Sequence, residues 1–327
     1  MNTTSLSYSK ARQDHLDCAH GLMILHMMFF HLCVSTIYNT PLYHIILHPL
    51  SFFMAWFFFK SGMFFKEQNF VELIKRGIRK LIIPAIFFSL IGFICYLITD
   101  KPEINLCREL GYAYVFGTFH GNIPLWFLYS LFVVQIMFNA LRRLHISPNI
   151  IALLGLCLYF LNKYIGFRPY WTYNIPLGLM FVALGFLLKN IQYDKRIIIP
   201  CLIIYWGLFF FSTEIDFMYG KFNPEYITIP WALAGCILTN VLFKRFPRIC
   251  IKPLRFFGRH AMEFLCTHII VIAFIEMFIH THQLSINPIL FGFVLFTIYV
   301  IALSTILHFC NLTHIQWMFG RTAQNNK

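Results

Sequence analysis

The strongest constraint on this chain is a succession of apolar runs, each about as long as a membrane-spanning helix. At 1.5 Å per residue, about 20 apolar residues cross a hydrocarbon core of roughly 30 Å. Ten stretches fit, at roughly 19–38, 45–65, 81–99, 123–141, 148–166, 173–189, 196–213, 226–243, 262–280 and 285–309. The connections are short, the longest near residues 100–122 and 244–261. This pattern predicts an all-α polytopic membrane protein in which residues 1–327 form a single domain without a separate soluble part.

Composition closes the other routes. Hydrophobic residues make up 59% of the chain and charged residues 12%, against about 45–50% and 25% in soluble domains. A soluble enzyme, a disordered chain and a nucleic-acid-binding domain are thereby excluded as classes. The net charge of +13 sits in short clusters between apolar runs rather than on one wet face. Assigned alternately to the two sides, 20 Lys and Arg fall on the side of the N-terminus and 5 on the other. That bias predicts cytoplasmic N- and C-termini, which an even number of spans requires. The ten cysteines contain no C-x-x-C pair and lie mostly inside apolar runs, which speaks against a zinc site or a disulfide framework. The first apolar run, which lacks a small-residue cleavage site, reads as a retained helix.

Ionisable residues inside spans are costly and are candidates for function. The first run carries His20, His26 and His31. His20 and His31 are eleven positions apart, so they share one helix face, within about 20° of each other and separated by about 16 Å. Asp17 lies one turn before His20, a position from which a carboxylate favours a protonated imidazole. The ninth run opens with Glu263 and carries His268. Histidine exchanges protons near neutral pH, and a buried one beside a carboxylate is suited to general base catalysis. Histidines on two helices suggest one shared site, although spacing alone does not bring them together. Gln135 and Asn139, in the fourth run, read as helix–helix hydrogen bonds.

Five stretches, in order, carry a resemblance. Arg12-Gln-Asp14-His-Leu-Asp17-Cys-Ala19-His20-Gly21, followed by an apolar run to His31, resembles the opening of the acyltransferase type 3 family. Ser51-Phe-Phe-Met54-Ala-Trp-Phe-Phe-Phe59-Lys-Ser61-Gly62 resembles its Phe-rich second helix, and Lys75-Arg76-Gly-Ile-Arg79-Lys80-Leu-Ile-Ile-Pro84 its basic loop. Pro124-Leu-Trp126-Phe127-Leu128 and the stretch from Phe257-Gly258 through Glu263 to His268 complete the series. The match covers residues 15–320, nearly the whole chain. Three places depart from the family: His20 stands where an Arg or Lys is usual, Ala55-Trp56 replaces the proline common before the Phe run, and Lys60 stands where an aliphatic residue is usual.

The resemblance implies an integral membrane O-acyltransferase of cell-surface glycans, placed in the cell (inner, cytoplasmic) membrane. It implies no bound cofactor, with acyl-CoA, acetyl-CoA in the first instance, as co-substrate. Its catalytic group would be His31, joined by His20, Asp17, Glu263 and His268. Arg76, Arg79 and Lys80 would hold the polyanionic donor, since Arg and Lys bind phosphates directly. Trp126 and His120, on the outer side, would meet the acceptor, a surface polysaccharide or its lipid-linked precursor. His31 would either deprotonate the acceptor hydroxyl or carry the acyl group itself. Membrane lipids are the remaining expected partner. The reading from a different class is a transporter or flippase for lipid-linked sugars, which intramembrane histidines and acids also suit. Such proteins often show repeated halves with broken helices, and no internal repeat is visible in this chain.

Overall fold

The computed structural model describes residues 14–37, 43–100, 105–165, 169–191, 194–212, 214–282 and 296–305, with a few positions beyond. Among the described residues, eleven helices of eight residues or more precede the last of these segments. They are α1 (Asp14–Ile37), α2 (Phe53–Met63), α3 (Phe70–Thr99), α4 (Leu106–Phe116), α5 (Trp126–Arg143) and α6 (Pro148–Leu161). They continue with α7 (Ile175–Leu188), α8 (Lys195–Phe209), α9 (Glu225–Arg245), α10 (Lys252–Arg259) and α11 (Ala261–Thr281). A last helix, α12, covers Phe296–Thr305. The side at which α1 begins is called the proximal side and the opposite one the distal side.

Among the described residues, six helices are long and apolar enough to cross a membrane: Ile45–Met63, Phe70–Thr99, Ile123–Arg143, Tyr170–Leu188, Glu225–Arg245 and Ala261–Phe278. The other four expected runs are not among these six. Helix α1, at 24 residues, has the length to cross. In α6, at 14 residues, and α8, at 15, the helix is only about 21–23 Å long. The tenth run, 285–309, lies partly outside the described residues, with α12 inside it.

The recurrent sequence stretches have packing causes. Gly21 of α1 and Gly258 of α10 mark a backbone-to-backbone crossing. A Cβ at Gly21 would stand 1.9 Å from the Leu254 carbonyl oxygen, and one at Gly258 1.7 Å from that of Asp17. The short α10 lays Phe257 and Gly258 inward. Its outward Arg255 and Arg259 pair with the acids that open α1: Arg255 with Asp14 at 3.1 Å, Arg259 with Asp14 at 3.1 Å and with Asp17 at 3.3 Å. A second such crossing joins α2 to α7, where Gly62 and Gly185 face the Val182 and Phe59 carbonyls. Helix α3 starts on the Asn69 side chain, which accepts from the Val71 amide as an N-cap. It then widens into a π turn at Ile78–Ile82. Pro84, lacking an N–H, cannot complete a helical bond to the carbonyl four residues earlier, and the wide turn just before it accommodates that loss.

Of the two residues expected to bond helix to helix, Gln135 does so, while Asn139 reaches the loop residue Gln68 ahead of α3. Gln135 donates to the Ser61 hydroxyl at 3.0 Å and Asn139 to the Gln68 carbonyl at 3.2 Å. Asn122, fully buried, donates to the carbonyls of Cys266 at 2.8 Å and Phe88 at 3.3 Å, tying α3 to α11. One element is not helical. Strands β1 (Glu214–Asp216) and β2 (Lys221–Asn223) form an antiparallel hairpin with Ile215 opposite Phe222. Its turn uses Gly220 at φ +64°, and Phe217 and Phe222 anchor it in the apolar core.

Candidate active site

Two cavities lie end to end along the same helices. The proximal one, of about 400 Å³, is lined by His20 and Ile24 of α1, Phe57, Lys60, Ser61 and Phe64 of α2, and Arg76 and Lys80 of α3. The distal one, of about 440 Å³, is lined by Met27, Phe30 and His31 of α1, Ser51, Phe53 and Met54, Trp126 of α5 and Asp216 of the hairpin. Leu265 of α11 lines both. Neighbouring positions divide between them: Trp126 faces the distal cavity and Phe127 the proximal one, as Phe53 and Phe57 do one turn apart. A thin layer of aromatic and aliphatic side chains therefore separates two ligand-sized spaces.

Helical geometry set His20 and His31 on one face of α1, and each opens into one of these spaces. His31 also meets His268 of α11, with ring centroids 5.1 Å apart and planes at 44°. The two helices thus bring these histidines into contact. His268 is fully buried, and its Nδ1 lies 2.9 Å from the Leu265 carbonyl and 3.1 Å from that of Phe264. Carbonyls accept only, so Nδ1 carries the proton and Nε2 keeps its lone pair. Among the described residues, Nε2 has no hydrogen-bond partner.

At the proximal cavity the pairing differs from the one the spacing suggested. The Asp17 carboxylate turns to Arg259, and His20 Nδ1 is hydrogen-bonded to the Lys60 ammonium. An ammonium only donates, so His20 accepts at Nδ1 and keeps its proton on Nε2. The charge at this point is supplied by Lys60, the cation that breaks the apolar second run, while His20 is neutral. The edge of the His20 ring also packs against Phe57, with centroids at 5.3 Å.

The remaining candidates divide. Arg76 and Lys80 line the proximal cavity, whereas Arg79 stands exposed on the π turn outside that lining. Glu263 is buried, at 2% exposure, and accepts from His260 at 3.3 Å. It adjoins the site through its neighbour Met262 rather than lining either cavity. Trp126 lines the distal cavity, but His120 does not. It is hydrogen-bonded to the buried Glu109 and stacked on Tyr112 and Tyr96, with centroids at 3.4 and 5.1 Å. In α4 burial, followed by the nearby Tyr219 and Glu109, raises the Tyr112 phenol above its ordinary range.

Sequence reasoning missed Ser51, Ser61 and Asp216 as lining residues. Asp216 had a readable signal, an acid in the polar stretch between the seventh and eighth apolar runs. The serines had none, since small hydroxyl residues are common within apolar helices.

Neither a curated protein nor a solved structure matches the chain. The family described as an acyltransferase domain does, over residues 14–309 of 327, a span containing both cavities and every candidate residue above. The multi-pass helical chain therefore belongs to the acyltransferase type 3 family.

Proposed function

We propose that the protein moves an acyl group, acetyl in the first instance, from cytoplasmic acyl-CoA to a hydroxyl of a surface polysaccharide or its lipid-linked precursor. The observation that carries this reading is the pair of cavities, one cationic and one lined by His31, whose ring meets that of His268; the two cavities share Leu265. The basic bias of the connections puts the proximal side in the cytoplasm, in a chain that spans the inner membrane ten times with both termini inside. There Lys60, Arg76 and Lys80 bind the phosphates and thioester end of the donor. The thioester passes the His20 level toward His31, and the acceptor enters from the distal side between Trp126 and Asp216. Aromatic rings stack on sugars, and a carboxylate accepts from sugar hydroxyls.

His31 acts as general base. It takes the proton of the acceptor hydroxyl as the oxygen attacks the thioester carbonyl, and the CoA thiolate leaves toward the proximal cations. His268 fits the part of the group that orients a base: its remaining acceptor Nε2 serves the second nitrogen of His31, as a third group does in other base-assisted transfers. His20, fixed as a donor at Nε2 by Lys60, offers a hydrogen bond to the incoming thioester. The hairpin that carries Asp216 closes the distal cavity on one side.

Transfer of radiolabelled acetyl from acetyl-CoA to envelope glycan in membranes tests the reading, with mass spectrometry of surface glycans in the presence and absence of the gene locating the acylated hydroxyl. A transporter of lipid-linked sugars would move glycan and leave the label on CoA.

A further inference from the structure

A third space, of about 560 Å³, shares no lining residue with the two cavities of the site. It runs along α8 and α9, from Lys195 and Arg245 at one end to Tyr205 and Trp206 at the other, with Leu202 and Leu242 between them. We propose that this groove holds one anionic glycerophospholipid of the cytoplasmic leaflet, its phosphate on Lys195 and Arg245 and one acyl chain along Leu202, Leu242 and Tyr205.

Three observations fix the occupant. The first is depth. Lys195 and Trp206 are eleven residues apart on α8, about 16 Å, and half of a hydrocarbon core of roughly 30 Å is about 15 Å. The groove is one leaflet deep. The second is charge. Both cations are exposed, at the level where α8 begins and α9 ends. Lys195 stands in the first turn of α8, whose Arg196 amide is capped by the Asp194 side chain at 3.0 Å, so the attraction for a phosphate rests on the two cations. A zwitterionic headgroup would bring its own cation to the same place, so an anionic lipid is favoured. The third is access. Leu202 is 41% exposed and Trp206 59%, so the groove opens sideways to the acyl chains instead of to water. Tyr205 donates to the Pro49 carbonyl at 2.7 Å, which pins the deep wall to the segment leading into α2. The occupant thus fills a seam between α8, α9 and the α1–α2 region, and the inference stands independently of the acyl-transfer chemistry.

The test uses fluorescence quenching by contact. Full-length protein is reconstituted in vesicles containing phosphatidylglycerol or phosphatidylcholine with brominated acyl chains. The Trp206 signal is isolated by subtraction of Trp206→Phe. Brominated phosphatidylglycerol is expected to quench Trp206 at lower mole fraction than brominated phosphatidylcholine. At about one unit of surface attraction per cation, neutralising Lys195→Gln or Arg245→Gln alone should reduce that preference about fivefold, and the pair about 30-fold. Lys195→Arg with Arg245→Lys, which keeps both charges, should preserve it. Equal quenching by the two lipids in the wild type, or an undiminished preference in the neutralised variants, overturns the proposal. The single variants decide the matter if the double variant does not insert.

Discussion

His31 of α1 and His268 of α11 face each other with ring centroids 5.1 Å apart, although 237 positions separate them in the chain. His268 is held by its Nδ1 on the carbonyls of its own helix, so its free ring nitrogen is a fixed acceptor. Such a contact couples the two residues. His31→Ala should lower acyl transfer by about 10²–10⁴ while the protein stays in the membrane, the usual range for a general base. His268→Ala should lower it less. The double variant should be no worse than His31→Ala, because residues acting as a unit are not additive. Independent, multiplying losses in a membrane transfer assay would show that the two do not act together.

The Lys60–His20 bond gives a second expectation, concerning charge. Lys60→Met removes the cation and should weaken use of the acyl-CoA donor by about 10–150-fold in kcat/KM, the value of a charged hydrogen bond of about 1.5–3 kcal/mol. His20→Arg alone would press two cations together and should also lose activity. Combined, His20→Arg with Lys60→Met carries one cation at the same place and should recover most of the loss. Steady-state kinetics with varied acetyl-CoA separates these outcomes. Recovery by His20→Arg without the second change would mean that Lys60 is not the working charge.

The glycine crossing of α1 and α10 predicts a stability effect. Gly258→Ala places a methyl 1.7 Å from the Asp17 carbonyl oxygen, and Gly21→Ala one 1.9 Å from that of Leu254. Backbone atoms cannot yield as a flexible side chain does, so each should cost about 1–3 kcal/mol or more. Thermal unfolding followed by size exclusion in detergent reads this as a lower Tm. Gly207→Ala, at a position where a Cβ meets nothing within 4 Å, is the control and should be silent.

The positive-inside bias predicts ten crossings with both termini in the cytoplasm. Cysteine labelling on a background without the native cysteines should find a cysteine at position 115 reactive from outside the cell, and ones at positions 10 and 325 reactive only from the cytoplasm. Labelling of position 115 from the cytoplasm alone would contradict the topology.

Helical periodicity alone placed His20 and His31 on one face, and the structure opens each into its own cavity. The meeting of α1 with α11 was suggested only by both carrying histidines, because packing between distant helices is not a property of either sequence segment. Asp17 shows the corresponding error. One turn from His20, it looked like a partner of that ring, but α10 brings Arg259 to it from more than 200 residues away. A local spacing argument ranks the near neighbour first and cannot see a distant cation. Lys60 was visible as a break in an apolar run, yet its role depended on which helix face met α1. The hairpin that delivers Asp216 was hidden for another reason: three-residue strands joined by a four-residue turn leave no period-2 signal to read. His120 and Trp126 were grouped by topology as distal aromatics. The turn at Gly117 and Gly121, both at positive φ, sends His120 back onto Glu109 and leaves Trp126 alone at the cavity.

In the proposed mechanism donor and acceptor enter from opposite sides and react at His31. Sealed membrane vesicles of both orientations, given membrane-impermeant acetyl-CoA labelled in the acetyl group, test this most directly. Label should reach glycan in inside-out vesicles, where the cavity lined by Lys60, Arg76 and Lys80 faces the added donor. It should fail to do so in right-side-out vesicles, and His31→Ala should abolish it in the inside-out ones. Transfer in right-side-out vesicles, or undiminished transfer by His31→Ala, would contradict the account.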